Sequence, residues 1–207
     1  MENSQFKTLA INILKKWWCS LLMLPFILYS IHQTYWAPRY NIFFAVNYNY
    51  PFPLSIIHFF VDNFLLIVHE AGHTFFRIFG VRFITILGGS LFQILLPLVI
   101  LTYFWFNHKK IGMQLSFCLI GYSWLDVAAY AADGGARQLP LIGGLGKGAH
   151  DWYNLLVRMH ALNYDMAIGI IFTIIGILCY LSALLIPFFY HEYQEVTLDL
   201  DLDENPG

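Results

Sequence analysis

Residues 69 to 73 read His-Glu-Ala-Gly-His. On a helix this spacing sets His69 and His73 one turn apart on one face, with Glu70 beside them. Two imidazoles so placed can hold a zinc ion, and a carboxylate that is not a ligand can take a proton from a water that zinc activates. The pentapeptide lies inside an apolar stretch long enough to cross a bilayer. An unpaired ionisable group in lipid costs roughly 2.5 kcal/mol or more at the bilayer centre. Coordination of both rings by a metal removes that cost, which weighs against a helix that merely carries two core histidines.

A catalytic zinc takes a third protein ligand and keeps one position open. Asp126 is the first candidate, because it stands in the otherwise apolar run Ser123-Trp124-Leu125-Asp126 and needs a partner there. Asp133 follows seven residues later on the same helix face, with Tyr130 close by, and its place before Gly134-Gly135 also suits a residue that ends a helix. His150 and Asp151 form the next pair of candidates. Asp151 reads as the N-cap of a short amphipathic helix over 152–162, with Leu155, Leu156 and Met159 on its apolar side. His150 is then free to fold back as third ligand or as proton donor to a leaving amine. Asp62, seven residues before His69, is placed to orient a ligand imidazole if its half of the helix meets another polar group. The glycines of 143–148 lack the Ser/Thr that follows Gly-Lys in a phosphate loop, and read as a flexible loop.

The elements that must carry these residues follow from composition. The chain has 207 residues, 58% hydrophobic and only 12% charged, whereas a soluble domain carries about 25% charged residues. This predicts an all-α polytopic transmembrane bundle of about five spans, near 17–34, 54–79, 88–106, 112–132 and 166–190, with the His-Glu motif on the second. The organisation is a cytoplasmic N-terminus over 1–16, a membrane-embedded domain over 17–190 with a polar loop at 133–165, and an acidic tail over 191–207. The connection 35–53 is dense in aromatic residues, as suits a headgroup region. No small-residue cleavage site follows the first apolar run, so it reads as an uncleaved membrane helix.

With the N-terminus in the cytoplasm, eight of the eleven Lys and Arg fall inside, which favours that orientation and places the site toward the cytoplasmic side. Cys19, Cys118 and Cys179 are isolated and apolar in context, as small buried hydrophobes are. A net charge of -2 offers nothing to nucleic acid; the expected partners are the lipid bilayer and a membrane-protein or peptide substrate.

Three stretches carry a resemblance: His69-Glu70-Ala71-Gly72-His73, then Phe79-Gly80-Val81-Arg82, then Gly88-Gly89-Ser90. Together they resemble the membrane-embedded site-2-protease-like zinc metallopeptidases, of which this chain looks like a divergent, minimal member. The resemblance implies one zinc ion, His69 and His73 as ligands, Glu70 as general base, and cleavage of peptide bonds in or next to membrane-spanning segments. Leu125-Asp126 looks like the family's later Leu-Asp-Gly motif, whose aspartate completes the metal site, although Val127 stands in place of the glycine. Gly88, Gly89 and Ser90 would form a glycine turn whose backbone donors receive an extended substrate. Two other classes compete: a pseudoprotease scaffold that binds transmembrane segments, for which Glu70 has no purpose, and a membrane oxidoreductase with iron held by histidines and carboxylates.

Overall fold

The computed structural model describes residues 2–36 and 50–190. Most of the aromatic connection over 35–53 and the acidic tail over 191–207 lie outside the described residues. Among those described there are six α-helices and no strand: α1 (Glu2–Trp36), α2 (Leu54–Phe76), α3 (Arg82–Phe106), α4 (Lys110–Ala132), α5 (Asp151–Arg158) and α6 (Asp165–Phe189). All but the short α5 are long and apolar enough to cross a membrane, so the chain is a multi-pass helical membrane protein. The one large difference from the expected spans is at the start. Residues 2–16 contain neither glycine nor proline, and α1 begins at Glu2 rather than near 17.

The pairs α2–α3, α3–α4 and α4–α6 pack antiparallel, and α1 lies along α4 in the same direction. α4 is the central one, with 67% of its most apolar window buried against 22–33% in the other four spans. Gln114 of α4 donates through Nε2 to Ser20 Oγ of α1 at 2.7 Å and to the Ala183 carbonyl of α6 at 3.1 Å. A buried amide in lipid needs such partners, and here it ties three helices together.

The second and third spans turn back on each other at a single position. The turn Arg77–Phe79 closes with Gly80 at φ 66°, where its N–H donates to the Arg77 carbonyl. A left-handed residue just past a helix ends it, and glycine takes that conformation without a Cβ clash. Because the chain has already reversed there, α3 runs unbroken from Arg82 through Gly88-Gly89-Ser90. The expected glycine turn at Gly88, Gly89 and Ser90 does not exist; all three residues are buried inside a helix. What they do is let α2 approach. A Cβ on Gly72 would lie 2.3 Å from the Gly88 carbonyl oxygen and 2.6 Å from Phe92 Cβ.

The loop between α4 and α6 is also pinned. Asp133, at the C-cap of α4 as its place before two glycines suggests, accepts from the Gln138 and Leu139 N–H groups at 2.8 and 2.9 Å. It also lies 3.1 Å from Nε2 of His150, which closes the loop at its far end. His150 Nδ1 accepts from the Tyr153 N–H, so His150, not Asp151, is the N-cap of α5. An Nδ1 that accepts leaves Nε2 to carry the hydrogen and donate to Asp133. Trp152, Leu155 and Leu156 of α5 are buried against Ile94, Val127 and Ala131, while Met159 is exposed.

The α2–α3 contact has a direct test. Gly72→Leu forces backbone apart and is expected to destabilise the protein by about 1–3 kcal/mol or more, read as a fall in unfolding temperature in detergent. Gly146→Ala, where a Cβ meets nothing within 4 Å, is the neutral comparison. An unchanged midpoint for Gly72→Leu would contradict the packing.

Candidate metal centre

His69 and His73 stand on the face of α2 that meets α3 and α5. Their rings lie 4.8 Å apart, centroid to centroid, and nearly perpendicular. The His73 Nδ1 is 2.9 Å from the Thr85 carbonyl oxygen, which can only accept, so His73 carries a hydrogen on Nδ1. The His69 Nδ1 is 3.0 Å from Gln93 Oε1, and it too faces an acceptor. Both rings therefore spend Nδ1–H on a protein oxygen and turn Nε2 toward the same point. This is how ligand histidines are held in metal sites.

The third group at that point is Asp151. Its Oδ2 lies 3.2 Å from His69 Nε2 and 3.1 Å from His73 Nε2. The three ligand atoms all fall within 4.8 Å of one another. A tetrahedral zinc with bonds of about 2.0–2.1 Å sets its donor atoms roughly 3.3 Å apart, near the two distances to Asp151, which ordinary N–H···O hydrogen bonds share. Gly89 makes the space: a Cβ there would sit 2.5 Å from His69 Nε2 and 2.6 Å from His73 Nε2.

Asp151 is the first residue of α5, and its orientation is held from α4. Tyr130 Oη accepts from the Asp151 N–H at 3.0 Å and donates to Oδ2 at 3.4 Å. Burial alone would raise the Asp151 carboxyl, but its hydrogen bonds to His69 and His73, with their charge, outweigh it and bring the group down to about 2. Burial likewise opposes ionisation of Asp133, and there the His150 hydrogen bond and two backbone N–H groups prevail and lower it.

Asp126, the first candidate for third ligand, does not join the cluster. Its Oδ2 accepts from Gln93 Nε2 at 2.6 Å instead. His150 is buried on the far side of Asp151 and engaged with Asp133 and the α5 N-terminus, so neither His150 nor Asp133 reaches the two imidazoles. Of the candidates from the sequence, the structure brings together His69, His73 and Asp151. Ser90 accepts from Trp152 Nε1 at 3.1 Å, and so anchors α5 and with it Asp151.

Glu70 is exposed and lines the same cavity, of about 490 Å³, as the three clustered side chains. Asp62 and Asp126 line it as well, and Leu139, Pro140, Leu141 and Ile142 of the pinned loop give it an apolar wall. Two contributors escaped the sequence reading. Gln93 left a signal, as an amide in the apolar run of α3; the Thr85 carbonyl left none, since any residue supplies one.

Comparison with known protein families, with curated proteins and with solved structures finds no match for this chain.

Gly89→Ala separates site from scaffold. Alanine favours a helix over glycine by about 1 kcal/mol, yet its methyl occupies the gap between the imidazoles. The variant is expected to fold with wild-type helicity by circular dichroism and to retain at most a tenth of the wild-type bound metal. Full metal retention would contradict the geometry described.

Proposed function

We propose that the protein is an intramembrane zinc metallopeptidase that hydrolyses peptide bonds in or near transmembrane segments. The ligands are His69, His73 and Asp151, and Glu70 is the general base. One observation carries the reading: His69 Nε2, His73 Nε2 and Asp151 Oδ2 converge, while each ring has committed Nδ1–H elsewhere. A metal cation at that point would take all three as ligands. Asp151 replaces Asp126 in the ligand set, and the other parts of the expected chemistry keep their residues.

When bound, zinc acts as a Lewis acid that polarises a carbonyl and lowers the pKa of water toward about 7. The residues supply the rest. Glu70 lines the cavity beside both ligand histidines, and no hydrogen bond among the described residues engages its carboxylate. It is free to accept a proton from water and to return it to the leaving nitrogen. Tyr130, next to Asp151, steadies the third ligand. The apolar wall of the loop, Leu139 to Ile142, suits the side chains of a membrane segment drawn into the site. The Lys and Arg count of the sequence favours the cytoplasmic side for the site.

A scaffold that only binds transmembrane segments has no need for a free carboxylate next to the metal ligands. Two histidines and one carboxylate also hold iron in oxygenases, and metal identity decides between that chemistry and hydrolysis.

The test uses the full chain in detergent or nanodiscs with a panel of fluorogenic membrane-spanning peptides. Wild type is expected to carry about one zinc per chain and to cleave within the panel. Glu70→Gln is expected to keep the zinc and lose at least about 10²–10⁴-fold in cleavage rate. Retained turnover in Glu70→Gln eliminates the proposed base. Iron with oxygen uptake in the wild type, or no metal at all, overturns the peptidase reading.

A further inference from the structure

The ligand set leaves a puzzle in the bundle. Asp126 is a carboxylate inside a membrane-spanning helix, yet it is not one of the converging donors. A group so costly to place in lipid calls for a task. Its hydrogen bonds define one.

Asp126 Oδ2 takes the hydrogen of Gln93 Nε2 at 2.6 Å. Gln93 then presents Oε1 to His69 Nδ1 at 3.0 Å. A carboxamide alone can offer either end to a neighbour. Asp126 Oδ2 is the acceptor in that bond, so Asp126 claims the NH₂ end of Gln93. Only the oxygen is left for the ring, and the oxygen only accepts. His69 must therefore carry its hydrogen on Nδ1, which leaves the Nε2 lone pair aimed at Asp151 and His73. Gln93 is 2% exposed, and both ends of its amide are engaged by these two side chains. His73 meets the same requirement without side-chain help, because the Thr85 carbonyl is an acceptor by nature.

We infer that Asp126 and Gln93 are a positioning relay: the carboxylate orients the amide, the amide sets the tautomer of His69, and metal affinity depends on both although neither is a ligand. The inference rests on the reading that His69, His73 and Asp151 bind a metal, and it assigns to Asp126 the opposite of a ligand's role. It also makes the two histidines unequal. His69 depends on a distant side chain, and His73 does not.

Zinc affinity of the full chain, measured by chelator competition, tests this in wild type, Asp126→Asn, Gln93→Leu and the double variant, with Asp151→Ala as the ligand-loss reference. Each single relay variant is expected to bind zinc stoichiometrically but about 10–100-fold more weakly. The double variant is expected to be no worse than Gln93→Leu, because Asp126 acts only through Gln93. A purely structural role, as glue between α3 and α4, would not move a second readout. In zinc-free protein labelled with ¹⁵N-histidine, wild-type His69 is expected in the Nδ1–H form. Asp126→Asn should give a mixture at His69 and leave His73 unchanged.

Unchanged affinity in Asp126→Asn, additive losses in the double variant, or a wild-type tautomer at His69 in Asp126→Asn overturns the relay. Complete zinc loss in Asp126→Asn, equal to that in Asp151→Ala, makes Asp126 a ligand and overturns relay and ligand set together. Zinc-free wild type overturns the metal reading, and the ¹⁵N spectra then still decide whether Asp126 sets the His69 tautomer.

Discussion

Three atoms bearing lone pairs, two imidazole nitrogens and one carboxylate oxygen, meet within a few ångströms in the interior of a membrane protein. Their convergence is the constraint around which the surrounding structure is arranged. Each ring is locked with Nδ1–H on an oxygen, so neither can turn its lone pair away without breaking a hydrogen bond. Asp151 is fixed by Tyr130 and by its place at the start of α5. The proposed metal would engage all three; without it, Nε2–H of the rings donates to Asp151 at 3.2 and 3.1 Å.

Holding the three donors together requires two kinds of contact. The first is close helix packing. Gly72 and Gly88 bring the α2 and α3 backbones together, and Gly89 leaves the gap into which the two rings project. The second is the docking of α5, which delivers the Asp151 carboxylate from 82 residues along the chain from His69. Trp152 on Ser90 and the buried Leu155 and Leu156 seat that helix. Asp133 holds both ends of the preceding loop, through Gln138 and Leu139 at one end and His150 at the other. Acidic side chains thus have four separate places here: Asp151 at the centre, Asp126 on Gln93, Asp133 on the loop, and Glu70 lining the cavity.

Much of this was legible in the sequence where the physics is local. Hydropathy located the spans, and the four-residue spacing of His69 and His73 on a helix could be read directly. The third donor was less legible because it depends on how distant elements dock. Asp126 and Asp151 are both aspartates in candidate positions, and only the packing of α5 against α3 decides which carboxylate meets the rings. Gly88-Gly89-Ser90 misled for a related reason. Glycine serves both turns and close approaches, and Gly80 had already made the turn. Asp151 lost the cap to its neighbour because a histidine nitrogen can accept from a helix N–H as well as a carboxylate can.

X-ray absorption at the zinc edge of the purified full-length protein tests the central claim most directly, because it reads the donor atoms themselves. Two imidazole nitrogens and carboxylate or water oxygens at about 2.0–2.2 Å, with no sulfur, are the expected result. The oxygen shell should change in Asp151→Ala and keep its composition in Asp126→Asn. A sulfur shell at about 2.3 Å, or an environment untouched by the loss of Asp151, would contradict a centre built from His69, His73 and Asp151.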